Sequence, residues 1–313
     1  MNNGNTKIGG AASGAAFAFM MIFYLAAAFI GQAVLFAVAE ERSFVFYAIN
    51  SLFSVFSISV TLIIASKLCK AKFSGMCAVN KFNPFYIFFA VALAAGMFFG
   101  LGFINIAVAE GLDKIGINVP ENNIPLNETW QYLVMVLLLA VFPAVAEEFF
   151  FRGAIAGGVG GTGVFVAAAV NALCFSLYHC SLSQFFYQFI YGFALFILMR
   201  SASSVLPAVV AHFFNNFAVL TFTHFGVEVN LYNPLIIAGG LVLLSVCVVF
   251  FVFYYVKKGR VVLYVPTESK DKNLCRKNGV SKENAGEIKA FFFPYGILGV
   301  VVCVAMIVAG VFA

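Results

Sequence analysis

The stretch that decides the fold is Trp130-Gln131-Tyr132-Leu133-Val134-Met135-Val136-Leu137-Leu138-Leu139-Ala140-Val141-Phe142-Pro143-Ala144-Val145-Ala146-Glu147-Glu148-Phe149-Phe150-Phe151-Arg152-Gly153. It is an apolar run long enough for a membrane-spanning helix, which needs about 20 residues. It closes on two adjacent carboxylates and an arginine. An ionised side chain at mid-bilayer costs roughly 2.5 to 3.5 kcal/mol even on insertion scales. Two in a row beside three phenylalanines therefore need a compensating reason, of which the usual ones are a proton path, an ion site or a catalytic site.

Working outward, the whole chain has the same character. Of 313 residues 63% are hydrophobic and only 10% charged, and the mean hydropathy is +1.01. A soluble domain of this composition lacks the polar residues to cover its surface. The reading is an all-α, polytopic transmembrane helical bundle. About nine apolar runs qualify as spans: Ala15–Ala39, Phe44–Ser66, Pro84–Ala109, Trp130–Ala156, Gly163–His179, Gln184–Met199, Val205–His224, Pro234–Val256 and Phe291–Phe312. The fifth and sixth are short and tightly joined, as in a helical hairpin. Lys7 followed by a long apolar run reads as a first transmembrane helix rather than a removed signal peptide. The seven cysteines are scattered, with no CxxC pair, so they supply neither a disulfide framework nor a zinc-ribbon spacing. By function the chain divides into 1–129, N-terminal helices with no motif; 130–225, the segment carrying the chemistry; and 226–313, C-terminal helices with a basic loop at 257–290.

The net charge of +5 is no nucleic-acid signal, because the basic residues sit in loops. Lys67, Lys70, Lys72 and Lys81 follow the second span. Lys257, Lys258, Arg260, Lys270, Lys272, Arg276, Lys277, Lys282 and Lys289 follow the eighth. The other side has Arg42 and Lys114 among Glu110, Asp113, Glu121, Glu128 and Glu228. The positive-inside rule puts the N-terminus in the cytoplasm, and anionic lipid headgroups are natural partners of the basic loop. In that orientation, at 1.5 Å per residue, Glu147 lies about 15 Å from the inner end of its span, His212 about 10 Å, Asn216 about 16 Å and His179 about 24 Å.

Glu148 and Arg152 are four apart and face each other on a helix, while Glu147 points about 100° away by the helical pitch. Two neighbouring carboxylates in a low dielectric resist being ionised together without a cation. Arg152 can hold Glu148 charged and leave Glu147 to react or share a proton. The bland alternative is an ion pair that only locks helices. His179 shares a stripe with Phe175 and Asn171, and alone would be read as a packing residue. His212 and Asn216, also four apart, can donate to one oxygen, as an oxyanion hole requires, or simply bond another helix; Asn215 competes with Asn216. Together the set could bind a metal through imidazole and carboxylate or activate water on a glutamate. Other protease chemistries lack their residues: there is no HExxH, no aspartate within a span, and the one G-x-S (Gly279-Val280-Ser281) lies in the basic loop. The glycines Gly153, Gly157, Gly158, Gly160, Gly161 and Gly163 read as a flexible connection, too glycine-dense for a stable helix.

These residues resemble the CAAX-prenyl-protease and bacteriocin-processing membrane proteins, also called abortive-infection-type proteases. The first motif, E-E-x-x-x-R, is Glu147-Glu148 with Arg152; the second, F-x-x-x-H, is Phe175 and His179; the third, H-x-x-x-N, is His212 and Asn216. The likeness covers roughly Leu133 to Leu220. It implies an intramembrane endopeptidase in which Glu147 activates water with help from His179, His212 and Asn216 stabilise the oxyanion, and Glu148 and Arg152 support the site. It also implies either no cofactor or a divalent metal such as zinc on Glu147, Glu148, His179 and His212. The expected substrate is a peptide or protein, including one with a lipidated C-terminus; the expected location is a bacterial plasma membrane. A proton-coupled transporter needs similar residues, and a silent immunity or scaffold protein can share the fold.

The orientation is tested by cysteine labelling from outside on a cysteine-free background. Asn122→Cys should react and Asn278→Cys should not; the reverse pattern inverts the topology.

Overall fold

The computed structural model describes residues 8–38, 43–119, 124–258 and 282–312. Among these every regular element is helical. The main helices are α1 (Gly10–Val38), α2 (Phe44–Leu68), α3 (Phe85–Lys114), α4 (Thr129–Val159), α5 (Val164–Tyr178), α6 (Phe185–Ala202), α7 (Leu206–His224), α8 (Pro234–Lys258) and α9 (282–312). Eight of these are long and apolar enough to cross a bilayer. The ninth, α5, has 15 residues, short of the roughly 20 a full crossing needs. It forms the expected hairpin with α6, against which it packs. The protein is a multi-pass integral membrane protein. Lys7, Arg42, Glu121 and the basic residues from Arg260 to Lys277 lie outside the described residues.

Local signals set the helix starts. Ser43 Oγ accepts from the Phe46 N–H at 3.2 Å, an N-cap contact that satisfies an orphan donor of α2. Gln131 reaches back to the Glu128 N–H at 3.0 Å. Pro207 occupies the first turn of α7, where its missing N–H is harmless.

One buried core draws on residues from Ile8 to Cys303, with Phe17, Phe150, Phe151, Phe175, Phe196 and Phe291 fully enclosed. Other phenylalanines, such as Phe29, Phe88 and Phe165, stay exposed, as residues facing lipid would. Helix α1 packs on α2, α4 and α9; α7 packs on α3, α4 and α6. The site is thus enclosed by α4, α5, α6 and α7.

The glycine cluster corrects the reading of a flexible connection. Helix α4 runs through Gly153, Gly157 and Gly158 to Val159 before a 3-10 turn at Gly160–Thr162. The glycines serve close approach. A Cβ on Gly158 would overlap Ser13, and one on Gly153 would press on the Cys77 backbone. Ser13 then reaches the Ala154 carbonyl at 2.9 Å. Tertiary packing of this kind outweighs intrinsic helix propensity. Only Gly163, at φ +91°, uses the left-handed region that glycine adopts freely, and it turns the chain into α5.

Close approach recurs between α3 and α8, where a Cβ on Gly240 would overlap the Gly100 backbone. The Cα of Gly239, by contrast, faces open space. Gly240→Leu should therefore lower thermal stability in detergent by about 1–3 kcal/mol, the cost of overpacking, while Gly239→Leu should be near neutral. Equal melting temperatures for the two variants would contradict the seam.

Candidate active site

Helix α4 is not a regular α-helix. It widens into π geometry at Val136–Val141 and again at Phe149–Ile155, and the α-helical turn between them, Phe142–Glu148, carries both carboxylates. Single π turns recur at functional sites. Part of the cause is legible in the chain. The ordinary partner of the Leu139 carbonyl is the N–H four residues on, and that residue is Pro143, which has none. The Leu139 carbonyl instead accepts from Asn216 Nδ2 of α7 at 3.1 Å. In the second wide turn the Phe151 carbonyl accepts from Asn171 Nδ2 of α5 at 2.5 Å. Each irregular turn is therefore tied to a neighbouring helix by an asparagine, consistent with the rule that buried backbone groups find partners.

The two carboxylates have different surroundings. Glu148 Oε1 lies 3.0 Å from Arg152 Nη1, with both side chains fully buried, and 2.9 Å from His212 Nδ1. The guanidinium is fixed on its far side. Nη2 donates to the Gly192 carbonyl of α6 at 3.1 Å, and the group lies over the Phe175 ring, 4.2 Å from its centroid, in cation–π range. Glu147 has no such cation. Its Oε1 accepts a long hydrogen bond from the Tyr178 hydroxyl at 3.5 Å. Its Oε2 faces His212 Nε2 at 3.9 Å, beyond hydrogen-bonding range, and is buried with no hydrogen-bond partner. Glu148 Oε2 is also without a partner, but its carboxylate already has the guanidinium against it.

The ring protons follow from the acceptors. With Glu148 held ionised by Arg152, His212 presents an N–H to it from Nδ1, and its Nε2 faces Glu147. His179 Nδ1 lies 2.8 Å from the Phe175 carbonyl, which only accepts, so it too is protonated there. The two histidines flank one phenylalanine: ring centroids are 4.7 Å apart for Phe175–His179 and 5.8 Å for Phe175–His212. His179 thus reaches the same corner, and among the described residues no hydrogen bond joins it to Glu147. Asn216 is brought in beside His212 and also accepts from Asn215 Nδ2 at 3.3 Å.

A metal on Glu147, Glu148, His179 and His212 is one of the two alternatives that the resemblance implies. Glu148 Oε1 is doubly engaged, while the Nδ1 bonds of both histidines leave Nε2 as the nitrogen that could take an ion. Among the described residues no three His, Cys, Asp or Glu side chains are placed to hold an ion. The positive charge at the centre belongs to Arg152. Sequence reasoning missed Tyr178, although it stands next to His179. It assigned no role to Gly192, where a Cβ would crowd Phe175 and Arg152.

Arg152→Ala should lower the yield of folded protein. Removing one partner of a buried pair costs about 3–5 kcal/mol, because the other charge is left uncompensated. The double variant Glu148→Gln/Arg152→Met should recover folding better than function. Wild-type abundance and melting temperature for Arg152→Ala would remove the ion pair from this account.

Comparison with known proteins agrees with this geometry. Residues 129–218 match the family described as Rce1-like, type II CAAX prenyl endopeptidase. That span holds all three motifs and the helices that enclose the site. No curated protein and no solved structure matches the chain. Over these residues, therefore, the chain is similar to the Rce1-like type II CAAX prenyl endopeptidase family, and the match lies within a bundle of membrane-spanning helices.

Proposed function

We propose that the protein is an intramembrane endopeptidase that hydrolyses a peptide bond with water activated by Glu147. The observation that carries this reading is the inequality of the carboxylates: Glu148 is bound by Arg152 and His212, whereas Glu147 keeps a buried oxygen with no hydrogen-bond partner. A general base needs a free carboxylate oxygen within reach of the water it deprotonates. Glu147 Oε2 takes a proton from water as the water oxygen bonds to the scissile carbonyl carbon. The carbonyl oxygen becomes an oxyanion. Asn216 has a second amide hydrogen for it beyond the one given to Leu139, and His212 can donate from Nε2 when its ring is an imidazolium, with Glu148 as counter-ion. Glu147 then returns the proton to the leaving nitrogen as the C–N bond breaks. His179, whose ring lies against Phe175 and Tyr178, is the second group for the same water.

The family supports a peptide or protein substrate with a lipidated C-terminus, delivered from the membrane. The charge bias of the loops supports a cytoplasmic N-terminus, in a membrane that we take to be a bacterial plasma membrane. No step is assigned to a metal.

Glu147→Gln should abolish cleavage, with expression and thermal stability near wild type. Glutamine keeps the volume but cannot take a proton from water, and a positioned base contributes about 10²- to 10⁴-fold. His212→Ala and Asn216→Ala should each lose about 10²- to 10³-fold in kcat if they serve the oxyanion. Mass spectrometry of peptides released in membranes from wild-type and variant cells reads the result. Retained cleavage by Glu147→Gln would sink the hydrolytic reading and leave the transporter or scaffold readings in its place.

A further inference from the structure

Three hydrogen bonds run head to tail behind the site. The Tyr187 hydroxyl of α6 donates to Asn215 Oδ1 at 2.7 Å. Asn215 Nδ2 donates to Asn216 Oδ1 at 3.3 Å. Asn216 Nδ2 donates to the Leu139 carbonyl at 3.1 Å. An asparagine amide can be turned end for end with little change in shape, so its orientation is set by its partners. Here one end of the chain is unambiguous. A carbonyl only accepts, so Asn216 must present its NH₂ to Leu139. Its oxygen then faces Asn215, which must present its own NH₂. The Asn215 oxygen in turn faces Tyr187, whose hydroxyl must donate. Pro143, by supplying no N–H, is what keeps the Leu139 carbonyl available for this bond. Tyr187 and Asn215 are buried, and Asn216 is half-buried at the edge of the site.

We propose that Tyr187 and Asn215 are positioning residues that lock the Asn216 amide in one orientation, so that its second N–H is presented to the reacting carbonyl oxygen. This rests on the hydrolytic reading above. Neither residue touches the substrate. Without Asn215 the Asn216 oxygen loses its donor, and without Tyr187 that donor is no longer held; Leu139 still fixes which end of the amide carries the NH₂, but the amide plane can rotate about that bond and carry the second N–H away from the developing oxyanion. Neighbouring dipoles in such chains reinforce one another, so the effect of the distant hydroxyl passes through Asn215. Asn215 is thereby the orienting member of the Asn215–Asn216 pair and Asn216 the donor.

The test uses the full chain in nanodiscs and a farnesylated, internally quenched peptide with a free C-terminal carboxylate as probe. Tyr187→Phe removes one oxygen. It should lower kcat about 10-fold with KM unchanged, since binding is untouched and only transition-state stabilisation is lost. Asn216→Ala should cost more, and the double variant Tyr187→Phe/Asn216→Ala should be no slower than Asn216→Ala alone, because the first change acts only through the second. A second readout does not depend on turnover. In protein labelled with ¹⁵N-asparagine, the side-chain NH₂ resonances of Asn216, identified by their absence in Asn216→Ala, should shift in Tyr187→Phe. Asn215→Ala, which cuts the chain one link later, must reproduce both effects in protein that melts as wild type does. Wild-type kcat in folded Tyr187→Phe, losses that multiply in the double variant, or an unmoved Asn216 resonance would each overturn the proposal. If the wild type leaves the peptide intact, the hydrolytic reading is what fails. The resonance then decides the orientation by itself: shifted, the lock stands; unshifted, it falls.

Discussion

The contact between Glu148 and Arg152, 3.0 Å apart with neither side chain exposed, is the constraint from which the rest of the centre follows. In a medium of low dielectric an isolated carboxylate or guanidinium is prohibitively costly, so each exists charged only because the other is there. Once Glu148 is ionised it fixes the proton of His212 on Nδ1. That directs Nε2 toward Glu147. The other face of the guanidinium meets the Gly192 carbonyl and the Phe175 ring. Through this one side chain α4 is tied to α5 and α6, and through Glu148 it is tied to α7. Stability and chemistry share the same contacts.

The second determinant is the irregularity of α4. A straight α-helix satisfies its carbonyls internally and offers nothing to its neighbours. The two π turns on either side of the carboxylates give neighbouring helices carbonyls to bind, and both are taken by asparagine amides: Asn216 on one side of the pair, Asn171 on the other. Polar bonds between membrane helices are worth only about 1 kcal/mol each. Their value here is registry: they set how far α5 and α7 slide along α4, and so which of their side chains come level with Glu147.

What could be read from the sequence, and what could not, divides along this line. The E-E-x-x-x-R spacing was sufficient for the ion pair, because four residues make one turn, and the pair survives the π turn that begins at Phe149. The convergence of His212 and Asn216 on α4 was legible from their shared face. Their partners were not, since His212 binds Glu148 rather than acting only with Asn216, and the Leu139 carbonyl carries no side-chain signature beyond Pro143 four residues later. The glycines after Arg152 were misread because composition records propensity, whereas their role depends on Ser13 and Cys77, distant in sequence. The hydrogen bond of His179 to the Phe175 carbonyl, four residues back on the same helix, could not be read from the motif.

Two adjacent carboxylates on one helix also explain why a single one would not serve. A lone glutamate four residues before a buried arginine becomes the arginine's counter-ion, and its affinity for a proton is spent on that bond. A lone glutamate without the arginine has nothing to orient the imidazole beside it. Successive helical residues share a depth but diverge by about 100°, so the same rung of α4 presents one carboxylate to Arg152 and another to Tyr178 and the edge of His212. The first supplies charge and geometry. The second keeps an oxygen without a hydrogen-bond partner in a site where desolvation strengthens every remaining electrostatic contact. The different surroundings of Glu147 and Glu148 are therefore a consequence of helical pitch: identical residues, one position apart, meet different partners because the helix turns each toward a different neighbour.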